Sequence, residues 1–298
     1  MSSDRQQGIL WAFAAASCTA GFVIPWKVAS THGGIITNTL VLLVAAAVFN
    51  SLLTVIQQRA FPKFRRFDFG VAIALAFFTL LGNHASSSAI SMVSPALLTV
   101  MQRGEVIIVA LLAWPILGER IDWKFWLGAI TAMAGLLLLA DTSSADATRA
   151  DGVAWACLST ASFSALAVLT RKFIFRIDVV SVNALRLWLS VGLWFAWNGL
   201  PDELDEISGP QVLYASIAAF FGPFLGRLFL MQSASKVEAR ITSLTNLASP
   251  PMTLAFAYFL LSDLPSAREI QGGIVMLIGI AIPILGMAHS RRSTSGSS

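Results

Sequence analysis

Long apolar runs broken by short polar intervals set the pattern of this chain; they fall at 8–28, 34–56, 69–89, 95–117, 123–140, 152–170, 179–199, 210–231, 241–261 and 270–288. Each is close to the ~20 residues that a helix needs to cross ~30 Å of hydrocarbon. Their side chains are continuously apolar, where the strands of a membrane barrel would alternate. The pattern therefore predicts an all-α membrane protein of ten transmembrane helices. Loops are short throughout, and the longest polar interval, Asp141 to Asp151, falls in the middle of the chain.

The two sides of that interval repeat each other at a constant offset of 144 residues. Gly8 and Trp11 recur as Gly152 and Trp155, Ile73, Ala74 and Phe77 as Ile217, Ala218 and Phe221, Leu81-Gly82 as Leu225-Gly226, and Gly128 and Gly135 as Gly272 and Gly279. A single ungapped offset implies a duplicated unit of five helices. The expected organisation is repeat 1 over 1–141, a linker over 142–151, repeat 2 over 152–290 and a disordered tail over 291–298. Five crossings turn the second copy over, so the expected architecture is two inverted five-helix repeats around a central cavity. Inverted repeats of this kind accompany alternating access to a site near the membrane midplane.

Composition agrees with a membrane class: 56% of residues are hydrophobic and 12% charged. The net charge of +4 indicates no nucleic-acid partner once the charges are placed. With the N-terminus inside, fourteen of the twenty Lys and Arg fall in inner loops and tails, three in outer loops and three within helices. This positive-inside bias predicts a multi-pass protein of a bacterial inner membrane with both termini cytoplasmic. The outer loops gather acids instead, notably Asp202, Glu203, Asp205 and Glu206. The first run lacks the features of a cleaved signal peptide and is expected to remain as a helix. Cys18 and Cys157 are not repeat equivalents and suggest neither a disulfide framework nor a metal cluster.

The ends of the two halves carry matching signatures. Leu117-Gly118-Glu119, then Trp126-Leu127-Gly128 and Ala134-Gly135, close the first; Leu261-Ser262-Asp263, then Gln271-Gly272 and Ile278-Gly279, close the second. These segments resemble the EamA repeat of the drug/metabolite transporter superfamily, and the resemblance runs from Gly8 to about Ala288. Length, aromatic content and the segment Gly21-Phe22-Val23-Ile24-Pro25-Trp26-Lys27 look most like the bacterial aromatic amino acid exporters of the YddG type. The resemblance implies a secondary transporter exporting amino acids, aromatic and other neutral ones, and related small metabolites. One departure stands out: the family's proline before its Leu-Gly-Glu signature is kept as Pro250, with Pro251 beside it, but is Val106 in the first half, next to Glu105.

Charged side chains at membrane depth cost ~2.5–3.5 kcal/mol each even on lenient scales, so they are expected to face a cavity or a partner. Arg103, Glu105, Arg186 and Arg227 qualify. On one continuous helix Arg103 and Glu105 point to nearly opposite faces, and Glu105 shares a face with Met101, Gln102, Ile108 and Val109. Glu105 either meets a substrate ammonium group or a proton while Arg103 or Arg186 meets the carboxylate, or it forms a structural ion pair with an arginine of a neighbouring helix. Arg227, near a helix end, is expected to snorkel; for Arg186 both uses stay open.

Neutral candidates follow from the repeat. Asn83 and His84 close the third helix, and Gln102 matches Asn246 in the ninth; such amides hydrogen-bond a zwitterion or simply join helices. Trp26, Phe77 and Phe78 offer aromatic faces for a flat substrate, against the common lipid-facing use. Pro223 and Pro250 free backbone carbonyls within helices. Gly128 with Gly135 and Gly272 with Gly279, two turns apart, offer grooves in the fifth and tenth helices, for each other or across a dimer. The oligomeric alternatives are a monomer and a homodimer.

No phosphate loop supports primary energy coupling, and neither a His-Glu-x-x-His pair nor a Gly-x-Ser-x-Gly elbow supports an intramembrane enzyme. No cofactor and no metal is expected. Glu105 is the only acid deep in a helix, so proton coupling and facilitated diffusion both stay open. The alternative cargoes are organic cations, as in multidrug export, and nucleotide sugars.

Overall fold

The computed structural model describes residues 3–58, 64–90, 92, 101–119, 121–139, 150–199, 207–261 and 266–289. All regular structure among them is helical. The first half comprises α1 (Ser3–Thr31), α2 (Ile35–Gln58), α3 (Arg66–Ile90), α4 (Glu105–Leu117) and α5 (Trp123–Leu139). The second comprises α6 (Ala150–Phe173), α7 (Val179–Asn198), α8 (Gly209–Ala219), a wide π-helical turn (Phe220–Gly226) running into α9 (Arg227–Lys236), α10 (Ala239–Asn246), α11 (Ser249–Leu261) and α12 (Ala267–His289). Among the described residues six helical spans are long and apolar enough to cross a membrane, and α5 and α12 are shorter apolar helices. Most of the expected linker, the acidic loop at 202–206, the tail and residues 95–100 of the fourth run lie outside the described residues.

Two of the apolar runs are not continuous helices, which corrects the single helix expected over 95–117 and over 241–261. The first is interrupted at Gly104 and the second at Leu247–Ala248. The interruptions are equivalent under the 144-residue offset, down to one hydrogen bond: Gly104 N–H donates to Met101 O (3.0 Å), and Ala248 N–H to Thr245 O (3.0 Å). In the second half Pro250 and Pro251 follow the break and have no N–H to continue the ladder. In the first half glycine, a poor helix former, interrupts the chain where the family's proline is absent. Glu105 thus starts a new helix, and the face drawn through Met101, Gln102 and Glu105 runs across a turn residue, Gly104, whose backbone stays right-handed. Pro223 has a related effect between α8 and α9, where the helix widens into the π turn.

The glycine grooves face each other. A Cβ at Gly128 would lie 2.5 Å from Gly279 O, one at Gly135 2.5 Å from Met276 N and one at Gly279 2.4 Å from Ala132 N. So α5 and α12 pack backbone to backbone within one chain, with Phe125, Leu136, Met276 and Ile280 buried beside the seam. Leu127, Ile130, Ile274 and Ile278 point outward, as apolar side chains facing lipid do.

Contacts between the halves also orient them. Asp4 and Gln7, in the first turns of α1, bond Lys236, while Arg171, in the last turn of α6, donates to Ala234 O. The start of α1 and the end of its repeat equivalent α6 therefore meet the same stretch of chain, and the two helices run in opposite directions.

Candidate functional site

A buried polar chain crosses the bundle from α2 to α3 through α7. Asn50 donates to its own helix at Ala46 O (2.8 Å) and its Oδ1 accepts from Asn183 Nδ2 (2.7 Å). Asn183 Oδ1 accepts from Arg186 Nε (3.1 Å), and Arg186 Nη1 donates to Thr79 Oγ1 (2.6 Å). Asn50 and Asn183 are fully buried, and Arg186 is only 3% exposed. Arg186 is thus turned inward, away from the helix end to which a snorkelling arginine would reach, and its hydrogen-bond acceptors are neutral. The charged group that acts on it is another cation, Arg227.

Arg227 opens α9 directly after the π turn. Its Nη2 donates to Thr170 Oγ1 (2.8 Å), near the end of α6, so it too points into the bundle, contrary to the snorkelling expected from its position. The charge of Glu105 acts on it through space, as it does on Arg103, and Glu105 takes a hydrogen bond from the amide of Asn246. Glu105 and Asn246 sit at the two symmetric interruptions, one beginning α4 and the other ending α10. The four charges and the amide therefore gather where both broken helices expose their ends, an arrangement typical of binding sites built from discontinuous helices. Arg103, Glu105 and Arg227 are half-buried. Within this group Arg103 Nε, Arg227 Nε, Asn246 Oδ1 and the neighbouring Thr245 Oγ1 are buried without a hydrogen-bond partner. Unsatisfied polar atoms of this density are unusual inside a protein.

The remaining candidates surround this group or stand away from it. Gln102 donates to Ser86 Oγ (2.8 Å) and Ser159 Oγ (3.3 Å), and Ser159 donates to Gly82 O, a web that joins α3 and α6 to the turn before the break. Met101 packs with Ala89, Ala156 and Trp155. Asn83 turns back to its own helix at Thr79 O (2.7 Å). Trp26 stacks on Phe22 in the apolar cluster shared with α2 and α7. Phe78 packs with Leu75, Leu166 and Val182. Phe77 is 52% exposed on the outer side of α3. Asn50, Thr79, Thr170, Asn183 and Thr245 were not singled out from the sequence. Two amides inside apolar runs, Asn50 and Asn183, carried a readable signal; the threonines, which bond their own helix backbone in most membrane helices, did not.

One end of the bundle is tied by ion pairs. Lys236 meets Asp4 (3.1 Å), Arg5 meets Glu238 (3.8 Å), and Arg240 meets Asp122 (3.2 Å) and Glu238 (3.0 Å) while lying over the Phe125 ring. Glu119 accepts from Ala239 N–H (3.0 Å) at the start of α10 and lies 3.9 Å from Arg171. Burial pushes the Glu119 carboxyl above its ordinary range, opposed by those backbone hydrogen bonds and by Arg171. The Leu-Gly-Glu signature thus has a physical role. Gly118, at φ +70°, ends α4 in the left-handed conformation that glycine adopts without strain, and Glu119 crosses to cap α10.

An apolar recess of about 430 Å³, lined by Leu40, Val44, Val48, Phe49 and Val212, opens between α2 and α8. No charged residue lines it, and it shares no lining residue with the polar cluster.

Fold and cluster together describe a multi-pass helical membrane protein with a charged interior cluster at broken helices. The EamA-like transporter family matches the chain twice, over residues 6–140 and 150–285. The chain belongs to that family and is a transporter. An Archaeoglobus fulgidus protein named as an uncharacterized transporter is 27% identical over 277 residues, covering 92% of this chain and 93% of its own. A solved crystal structure shares the fold with a TM-score of 0.77 at 15% identity, covering 94% of this chain and 97% of its own.

Proposed function

We propose that the chain is a secondary transporter of the bacterial inner membrane that exports amino acids and related small metabolites by alternating access. The observation that carries this reading is the cluster of Glu105, Arg103, Arg227 and Asn246 at the paired helix interruptions, with buried polar atoms left unpartnered and Arg186 acting on Arg227. Arginines present forked donors suited to a carboxylate, and unsatisfied amide and hydroxyl groups beside them suit the remaining polar atoms of a small metabolite. The opposed directions of α1 and α6 support two inverted repeats, with alternating access by exchange of their packings. In this reading the end tied by ion pairs faces the cytoplasm, consistent with the positive-inside bias, and is closed in this conformation.

Counterflow of labelled amino acids into liposomes holding the purified protein tests the proposal. Saturable uptake, competed by unlabelled amino acid and reduced at least tenfold in Arg186→Gln, is the expected result. Equal uptake into protein-free liposomes would reject it. A parallel measurement with methylviologen separates the organic-cation alternative, which three arginines at the site oppose.

A further inference from the structure

The charges of the site do not balance. Two arginines, Arg103 and Arg227, act on a single carboxylate, a third, Arg186, acts on Arg227, and among the described residues no other acid acts on the group. Glu105 already lies in the field of Arg103 and Arg227 and takes a hydrogen bond from Asn246. Arg186 holds only neutral acceptors, Asn183 and Thr79, and its charged neighbour repels it. With Arg103 Nε and Arg227 Nε buried and unpartnered, the surplus consists of donors and positive charge. A zwitterion brings as much positive charge as negative and leaves that surplus in place; a cation adds to it.

Resting on the reading of this cluster as the substrate site, we infer that the preferred cargo is a small carboxylate of net negative charge, bound between Arg186 and Arg227, and that Glu105 positions the arginines instead of receiving a substrate ammonium group. The carboxylate supplies an acceptor to the unpartnered Nε of Arg227 and neutralises part of the charge in a poorly solvated place, where a unit charge within ~4 Å counts for far more than in water. The amide oxygen of Asn246 and the hydroxyl of Thr245 then face the uncharged part of the cargo. The aromatic and neutral preference implied by the family resemblance gains no comparable support, because Phe77 lies on the outer surface and Trp26 and Phe78 are packed into apolar clusters.

Three compounds with one side chain and different charge provide the test: N-acetylphenylalanine, phenylalanine and phenylalaninamide, with glutamate as an acidic amino acid. Counterflow is measured in proteoliposomes of the full chain with the membrane potential clamped. The expected order is anion over zwitterion over cation, with the anion preferred about tenfold or more, as one unit of charge near two uncompensated arginines dictates. Arg186→Gln and, independently, Arg227→Gln are expected to erase most of that preference, and Arg186→Lys to keep part of it; melting temperatures identify any variant that fails to fold. Phenylalanine carried as well as or better than its N-acetyl derivative by the unaltered protein would overturn the inference while leaving amino acid export standing. Absence of counterflow for all four compounds would overturn both.

Discussion

At the scale of single residues, Asn183 is the hinge of the polar chain. It is fully buried and serves two partners at once, donating to Asn50 and accepting from Arg186. Its replacement by alanine strands a buried acceptor and a buried cationic donor, each costing ~1–3 kcal/mol. Asn183→Ala is therefore expected to lower the melting temperature in detergent by several degrees. Asn183→Asp makes a sharper comparison: the new carboxylate pairs with Arg186 but no longer donates to Asn50 Oδ1, so a folded protein with a lowered melting temperature is expected, in which carboxylate transport falls about tenfold or more because the arginine is already neutralised. Retention of full transport in a folded Asn183→Asp protein would remove Arg186 from the site. Intramembrane charges announce a site from sequence because their burial is costly. Which of them meet is another matter, since Arg103, Arg186 and Arg227 come from three separate stretches of chain.

At the scale of elements, the repeat is informative where packing is tight and incomplete where the backbone bends. The glycines two turns apart identify a groove from sequence alone. That α5 and α12 fill each other's groove follows from the structure, and it reserves this seam for contact within the chain. Gly279→Val is expected to prevent folding, because its Cβ would already lie 2.4 Å from backbone at Ala132 and the branched side chain has no place to relax. Size-exclusion chromatography of tagged protein reads this directly. Gly118→Ala is gentler: a left-handed φ costs alanine ~1 kcal/mol, so a folded protein with a slightly lower melting temperature is expected. The broken helices escaped an apolar-run reading because hydropathy ignores one missing hydrogen bond. Pro250 and Pro251 marked one of them; its partner at Gly104 becomes visible only when both halves bend at equivalent positions.

At the scale of the whole molecule, the ion-paired end joins α1, α4, α6, α9 and α10 just beyond the charged cluster. Any state that opens the site toward that end must separate Glu119 from α10 and Arg240 from Asp122. Glu119→Gln combined with Arg240→Ala is expected to raise maleimide labelling of a cysteine placed at Ser164, whose hydroxyl lies against the Glu105 backbone, from the side carrying residue 4; unchanged labelling would show that the ion pairs do not hold this end shut. Protons act on the same contact. Because burial raises the Glu119 carboxyl above its ordinary range, the folded state binds more protons than the unfolded state between the two values. The stability contributed by this group is complete below the ordinary glutamate range and is lost as pH rises through the folded value. The melting temperature of Glu119→Gln, measured from pH 4 to 8 against the unaltered protein, is expected to lack that downward component.

The sequence by itself determined the membrane class, the helical content and the existence of two related halves, because hydrocarbon tolerates little besides continuous apolar helices and because duplication leaves a fixed offset. It also named the charges that had to be explained. Tertiary structure alone decided how those charges combine: Arg227 turned inward to Thr170 instead of snorkelling, Arg186 was left among neutral acceptors, and Glu105 was placed at a helix start next to Asn246. These outcomes depend on through-space electrostatics and on where two helices break, and neither quantity is a property of any single stretch of residues.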